Sequence, residues 1–218
     1  MTASVEAGSF ASLRQRMVDH DLRGRGIADE RVLQTMLSLP RHEFVPEAYR
    51  SQAYEDHPLP IGEGQTISQP YIVAIMLMAL ALQPTDTVLE VGAGSGYATA
   101  LLAELAARVV AVERSALLAG GARHTLSRLG YSNVNVVVGD GSQGFAAGAP
   151  YDAILVSAAT ASVPQGLLSQ LREDEGRMII PVGPAESQQL QLIHMQAGRP
   201  VVTLCGACRF VPLVSGSK

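Results

Sequence analysis

The chain has 218 residues, 47% of them hydrophobic and 17% charged, with a formal net charge of −4. This composition supports a packed core and excludes a disordered chain, and its acidic balance argues against a protein that tracks phosphate backbones. With four Phe and no Trp the core must be mainly aliphatic, and two Cys cannot build a disulfide framework.

The opening MTASVEAGSF lacks the basic start and long apolar run of a secretory signal, and residues 1–9 read as a loose tail. Leu13–Leu22 and Glu30–Leu39 space their apolar residues as helices do, with Asp29 as N-cap of the second and Pro40 closing it. Arg41–Gln69, rich in Pro and Gly, reads as a long loop, a feature that points to function inside a compact domain. Ile72–Leu82 is the most apolar stretch, but its 11 residues fall short of the roughly 20 that cross a bilayer. It reads as a buried helix. Without a signal or a span the protein is expected to be cytoplasmic, with reduced thiols and no membrane partner.

From there strands and helices alternate. Thr87–Val91, Val109–Glu113, Val134–Val138, Ala153–Val156 and Arg177–Val182 are short apolar runs, with helical spacing over Tyr97–Ala107, Ala116–Leu129 and Pro164–Leu171. Such alternation predicts parallel βαβ units, and strands with little polar alternation predict a sheet covered on both faces. Gln188–Met195 and Val201–Leu204 flank Gln-Ala-Gly-Arg-Pro and predict a closing hairpin. The expected fold is α/β: a Rossmann-like, doubly wound, mostly parallel sheet with helices on both faces and an antiparallel C-terminal hairpin. Residues 1–218 are read as a single domain, with N-terminal helices and the long loop over residues 10–71 and the Rossmann-like core over residues 72–218.

VLEVGAGSGYATALLAEL is a strand, a glycine turn and a helix, in the place where open α/β sheets bind ligands. A dinucleotide loop has G-x-G-x-x-G or A, whereas here the third glycine falls at 96, giving Gly92, Gly94 and Gly96; the Gly-Lys-Ser/Thr of a P-loop is absent. This G-x-G-x-G, with Glu90 two residues before it, resembles the first motif of the S-adenosylmethionine methyltransferases. Glu113 ends the next strand, 17 residues after Gly96, where an acid can accept hydrogen bonds from ribose hydroxyls. Asp140, within Gly139-Asp140-Gly141 at the end of the third strand, resembles the acid that these enzymes place against the adenine amino group.

The segment Pro58-Leu-Pro-Ile-Gly-Glu-Gly-Gln-Thr-Ile-Ser-Gln-Pro-Tyr71 resembles the signature of the protein-L-isoaspartate O-methyltransferases, Gly-x-Thr-Ile-Ser-x-Pro. Pro40-Arg41-His42, Phe44-Val-Pro46, Val112-Glu113-Arg114, Pro181-Val-Gly183 and Arg209-Phe-Val-Pro-Leu213 match in order, so the likeness covers roughly residues 13 to 214. The resemblance implies a protein-repair enzyme. It would methylate the free α-carboxylate of L-isoaspartyl residues in damaged proteins and peptides, using S-adenosylmethionine and leaving S-adenosylhomocysteine. On this reading Ser68 is the catalytic serine. Thr66, Ile67, Glu90, Gly92, Gly94, Gly96, Glu113, Asp140 and Gly141 bind the cofactor. Ile61, Thr66, Phe210, Val211 and Pro212 line the substrate site, and the family is commonly monomeric.

A carboxylate with a pKa of about 4 is already an anion near neutral pH and needs no general base. The protein then has to align the reactants and exclude water, with no metal. Ser68 also precedes Gln-Pro and an apolar helix, so an N-cap role is equally open to it. Departures from the family pattern include the glycine-containing Arg114–Gly121 segment, Gly141-Ser-Gln-Gly144 and Arg172–Gly176. Two other readings remain: an O-methyltransferase for a defined carboxylate in a biosynthetic peptide, and a non-catalytic cofactor-binding protein. Cys205-Gly-Ala-Cys208 lacks a second pair or a nearby His, so it reads as ordinary buried thiols rather than zinc ligands.

Overall fold

Capping and turn chemistry set the N-terminal elements before the sheet begins. In the computed structural model, which describes residues 10–216, a helix over residues 10–16 (α1) runs into a π-helical turn, Met17–Leu22. The tail expected over residues 1–9 lies outside the described residues. Helix α2, Glu30–Ser38, starts where Asp29 accepts hydrogen bonds from the Arg31 and Val32 amides at 2.9 and 3.2 Å. Arg31 then donates to the carbonyls of Leu82 and Leu105, which ties α2 to later elements of the same layer.

Residues 41–69 are more ordered than their Pro and Gly content implies. They form 3-10 turns at Arg41–Phe44 and Glu47–Gln52 and an antiparallel hairpin of β1, Leu59–Gly62, and β2, Gln65–Ile67. Leu59 and Ile67 face each other across it and are both buried. Strands this short offer too few residues for a period-two pattern to be visible.

Helix α3, Pro70–Leu80, corrects the expected cap. Gln69 holds the N-cap position without a side-chain bond, and Pro70 opens the first turn. The free Tyr71 amide donates to Asp56 Oδ1 at 3.1 Å, while Asp56 Oδ2 accepts from Gln69 Nε2 at 2.6 Å and Arg25 Nη1 at 2.5 Å. Ser68 lies one residue outside the cap, and its hydroxyl forms no hydrogen bond among the described residues.

The main sheet has seven strands in the order β5-β4-β3-β6-β7-β8-β9. They are β3 Thr87–Val91, β4 Arg108–Glu113, β5 Val134–Val138, β6 Ala153–Val156, β7 Arg177–Val182, β8 Gln188–Gln196 and β9 Arg199–Cys208. The first five run parallel, and β8 and β9 are antiparallel to their neighbours. One face is covered by α2, α3, α4 (Tyr97–Leu105) and α5 (Ala116–Arg128). The other is covered by side chains such as Tyr151, Leu167 and Leu171 around a single turn, α6, Gln165–Leu168. The helix expected over Pro164–Leu171 stops early because residues 170–172 extend beside Tyr151. There the Tyr151 amide donates to the Gln170 carbonyl and the Arg172 amide to the Tyr151 carbonyl.

The closing hairpin turns tightly on Ala197 and Gly198, both at positive φ, so Arg199 and Pro200 already belong to β9. Pro200 is tolerated because β9 is an edge strand. After it, the chain is pinned rather than stranded. The Ala159 amide donates to the Val211 carbonyl at 2.8 Å and the Leu213 amide to the Ala159 carbonyl at 2.7 Å. Among the described residues no helix is long and apolar enough to cross a membrane.

Because Asp56 and not Ser68 serves the first turn of α3, Asp56→Ala is expected to lower stability by about 1–2 kcal/mol. Ser68→Ala should stay within about 0.5 kcal/mol of the parent. Thermal or urea melts check both values, and an equal loss in the two variants would return the capping role to Ser68.

Candidate active site

The turn after β3 has to leave the sheet and start α4 within five residues. Gly92, Gly94 and Gly96 take φ values of 90°, 55° and 88°, a region open to glycine at no steric cost. The Gly92 amide donates to the Val112 carbonyl at 2.8 Å, which ties the turn to β4. Gly141 is needed for a different reason: a Cβ there would fall 2.5 Å from Val91 Cγ1. Above the strand ends these close approaches leave a cavity of about 530 Å³.

Most of the residues expected from the sequence meet in that cavity. Thr66, Ile67 and Ser68 form part of its wall, with Glu90, Gly92, Gly94, Glu113, Gly141, Val211 and Pro212. Four do not line it. Gly96 is the N-cap of α4 and packs toward Ala122 and Leu126. Ile61 lies behind Gly94, its Cδ1 3.1 Å from where a Cβ would be. Phe210 lines a second cavity of about 400 Å³ that shares Pro212 and Leu213 with the first. Asp140 accepts from the Ser142 amide and hydroxyl and, through Oδ2, from the Gly216 amide at 2.7 Å. The Ser142 hydroxyl holds its carboxyl below the usual range, aided by the Gly216 amide.

Two acids meet at the turn and behave differently. Glu113 Oε2 accepts from the Gly94 amide at 2.9 Å and Oε1 from the Ser115 amide at 2.8 Å, so one carboxylate braces the glycine turn and the start of α5. Each oxygen retains a lone pair for a further donor. Glu90 is completely buried. Its Oε2 accepts from the Thr99 hydroxyl at 2.5 Å, and Oε1 has no partner. Burial pushes its pKa up to about 8; the Thr99 hydrogen bond opposes that shift and the nearby Glu113 adds to it.

The sequence reading missed Arg114, Ser115, Leu117, Ser157 and Val214, all of which line the cavity. Ser157 had a usable signal, since it directly follows β6 at the carboxyl end of a parallel strand. Val214 had none; the Ala159 pairing carries its segment there. Met76, read as core, is both buried core and cavity wall.

A family model described as protein-L-isoaspartate(D-aspartate) O-methyltransferase matches residues 12–218. The chain belongs to that family. The methyltransferase is 55% identical over 214 residues to a protein-L-isoaspartate O-methyltransferase of Koribacter versatilis, covering 98% of this chain and 96% of that one. It is 53% identical over 211 residues to one of Methanoculleus marisnigri, covering 96% and 95%. Among solved structures, a protein-L-isoaspartate O-methyltransferase superposes with a TM-score of 0.83 at 31% identity, over 93% of this chain and 66% of that one. A candidate member of the same enzyme class from Plasmodium falciparum, in complex with S-adenosyl-L-homocysteine, gives 0.79 at 27% identity, over 94% and 98%.

In this methyltransferase the bare oxygen of Glu90 has a consequence for stability. Between an ordinary carboxyl pKa of 4.5 and about 8, the folded chain holds a proton that the unfolded chain has lost. Stability from this group is therefore complete below pH 4.5 and falls by about 1.4 kcal/mol per unit as pH rises toward 8. Glu90→Gln should flatten that decline in ligand-free protein. Melting temperatures across the window check it, and parallel curves for parent and variant would refute it.

Proposed function

We infer that this chain transfers the methyl group of S-adenosylmethionine to the free α-carboxylate of L-isoaspartyl residues in damaged proteins and peptides. One observation carries the reading. The Thr66-Ile67-Ser68 wall sets Ser68, whose hydroxyl has no hydrogen bond among the described residues, at the cavity that the acid-lined glycine turn forms. Membership of the family over residues 12–218 and relatives above half identity name the reaction.

The residues present fit the cofactor. A buried carboxylate oxygen without a partner, at Glu90, is satisfied by a ligand that brings a cation or donors. The positive-φ glycines expose backbone to close approach. When bound, S-adenosylmethionine supplies a methyl group on an electrophilic sulfonium. Glycines 92 and 94 and the main chain of Thr66 and Ile67 form the cradle, and Glu113 accepts from ribose hydroxyls with its remaining lone pairs. Gly141 leaves room beside Val91, and Asp140, held by Ser142 and the Gly216 amide, would be the acid for the adenine amino group. Ser68 donates its hydroxyl to the substrate carboxylate and orients it; no proton need be removed, because the nucleophile is already ionised near neutral pH. Val211 and Pro212 bound the substrate side, while Ile61 stands behind Gly94 and Phe210 lines the neighbouring cavity.

Residues 10–71 supply the serine loop and residues 72–218 the cofactor platform of one catalytic domain. The chain works as a cytoplasmic monomer on isoaspartyl polypeptides, without nucleic acid and without a metal. An acidic net charge supports the choice against nucleic acid.

Two peptides that differ only in isoaspartate versus aspartate, given with methyl-labelled cofactor, test the reading. Base-labile label is expected on the isoaspartyl peptide alone, and label on neither while S-adenosylhomocysteine still binds would overturn it. Ser68→Ala should reduce kcat/KM by about a hundredfold, the scale of loss expected when a reacting group is misplaced, with cofactor affinity retained.

A further inference from the structure

Two ligands of opposite charge have to meet in one cavity. Its ionisable wall carries the acids Glu63 and Glu113, and Glu90, whose burial favours the protonated form until a cation arrives, against one base, Arg114. That lining favours a sulfonium and repels an incoming carboxylate. Arg114 is also turned away to the C-terminal segment, where its Nη1 donates to the Val214 carbonyl at 2.9 Å. The protein therefore needs a further positive charge on the serine side.

Such a charge lies behind Ser68. Arg41 is 0% exposed and heads the residues with fully buried side chains. Its Nε donates to the Ala53 carbonyl at 2.7 Å and its Nη2 to the Ser68 carbonyl at 2.8 Å. The guanidinium carbon stands 4.7 Å from the ring centroid of Tyr97, the residue after Gly96. Nη1 has no partner. Among the described residues Arg41 forms no ion pair: Asp56, the acid that acts on its charge, already holds Arg25, Gln69 and the Tyr71 amide. A buried cation without a contacting acid is expensive for stability alone. Low dielectric, however, preserves its field where salt cannot screen it.

We propose that Arg41 is a positioning and specificity-determining residue of the methyl-transfer site, fixing the Ser68 backbone against the glycine-turn helix and lending its buried positive charge to the substrate carboxylate. This rests on the function proposed above. The two carbonyl bonds set where the serine stands, and the ring contact sets that position relative to the cofactor cradle. The charge offsets the acids of the wall and so selects an anionic over a neutral substrate.

The test uses the full chain with Arg41→Met and Arg41→Lys. It measures S-adenosylhomocysteine affinity by calorimetry, kcat and KM for an isoaspartyl peptide, and inhibition by that peptide with the free carboxylate converted to an amide. Both variants should bind S-adenosylhomocysteine within about threefold of the parent. Arg41→Met should raise KM at least tenfold and erase the preference for acid over amide. Arg41→Lys should restore that preference through its charge while keeping a lowered kcat, because a lysine cannot hold both carbonyls. Unchanged KM and unchanged acid preference in a folded Met variant would overturn the proposal. If that variant does not fold, a salt series on the parent decides. A buried charge predicts an acid-over-amide preference steady within about twofold from 0.05 to 0.5 M salt, and a tenfold decline would assign the preference to surface charge instead. Parent enzyme that methylates neither peptide would sink the underlying function, a result distinct from variants that behave like an active parent.

Discussion

Everything at the site depends on how the chain leaves β3. The segment from Gly92 to Gly96 turns on left-handed glycines while its amides reach the Val112 carbonyl and the Glu113 carboxylate. Neither tie survives a change in register between β3 and β4, which pair from Thr87–Arg108 to Val91–Val112. The cofactor cradle is thus a property of two parallel strands and not of the glycine motif alone. The buried aliphatic runs that lock those strands together are what make the turn rigid enough to leave an open space above it.

On that platform the site is organised by charge. Acids from the ends of β3 and β4 make one side of the cavity suited to a cation. Burial makes Glu90 a poor anion until something positive arrives, whereas Glu113 is committed to two amides and remains an acceptor. Across from them stands a serine backed by a buried guanidinium. A carboxylate nucleophile needs no base, so the protein's contribution is placement, dryness and a balanced field rather than proton transfer.

The N-terminal region shows why such a site recruits elements distant in sequence. The loop that carries Ser68 is held by Arg41 from a 3-10 turn, by Asp56 beneath the start of α3 and by the β1–β2 pairing. The cavity is finished by a C-terminal segment that pairs with Ala159. Each contact is individually modest, and together they bring residues 66–68 and 211–214 to the same wall as the glycine turn.

Much of this was readable before any coordinates. The spacing of apolar runs located the parallel strands and the larger helices, because a covered sheet demands near-continuous hydrophobicity. Gly92, Gly94 and Glu113 were legible because turns at strand ends carry local chemistry, and Thr66–Ser68 through their resemblance to a family signature. The hairpin at Leu59–Ile67 escaped because its strands are shorter than a readable period. Ser68 was a candidate cap for α3 because sequence ranks nearby residues, whereas Asp56 reaches Tyr71 from 15 positions away. Likewise only packing could say that Asp140 points to Gly216, that Phe210 serves another cavity and that Arg41 stands behind the serine. The sequence by itself determined the parallel strands and the larger helices, which follow from local pattern, and its resemblance to a known family implied the ligand and the chemistry. The tertiary structure decided which polar groups are buried without partners and which charges oppose one another, since both depend on distances that the order of residues does not contain.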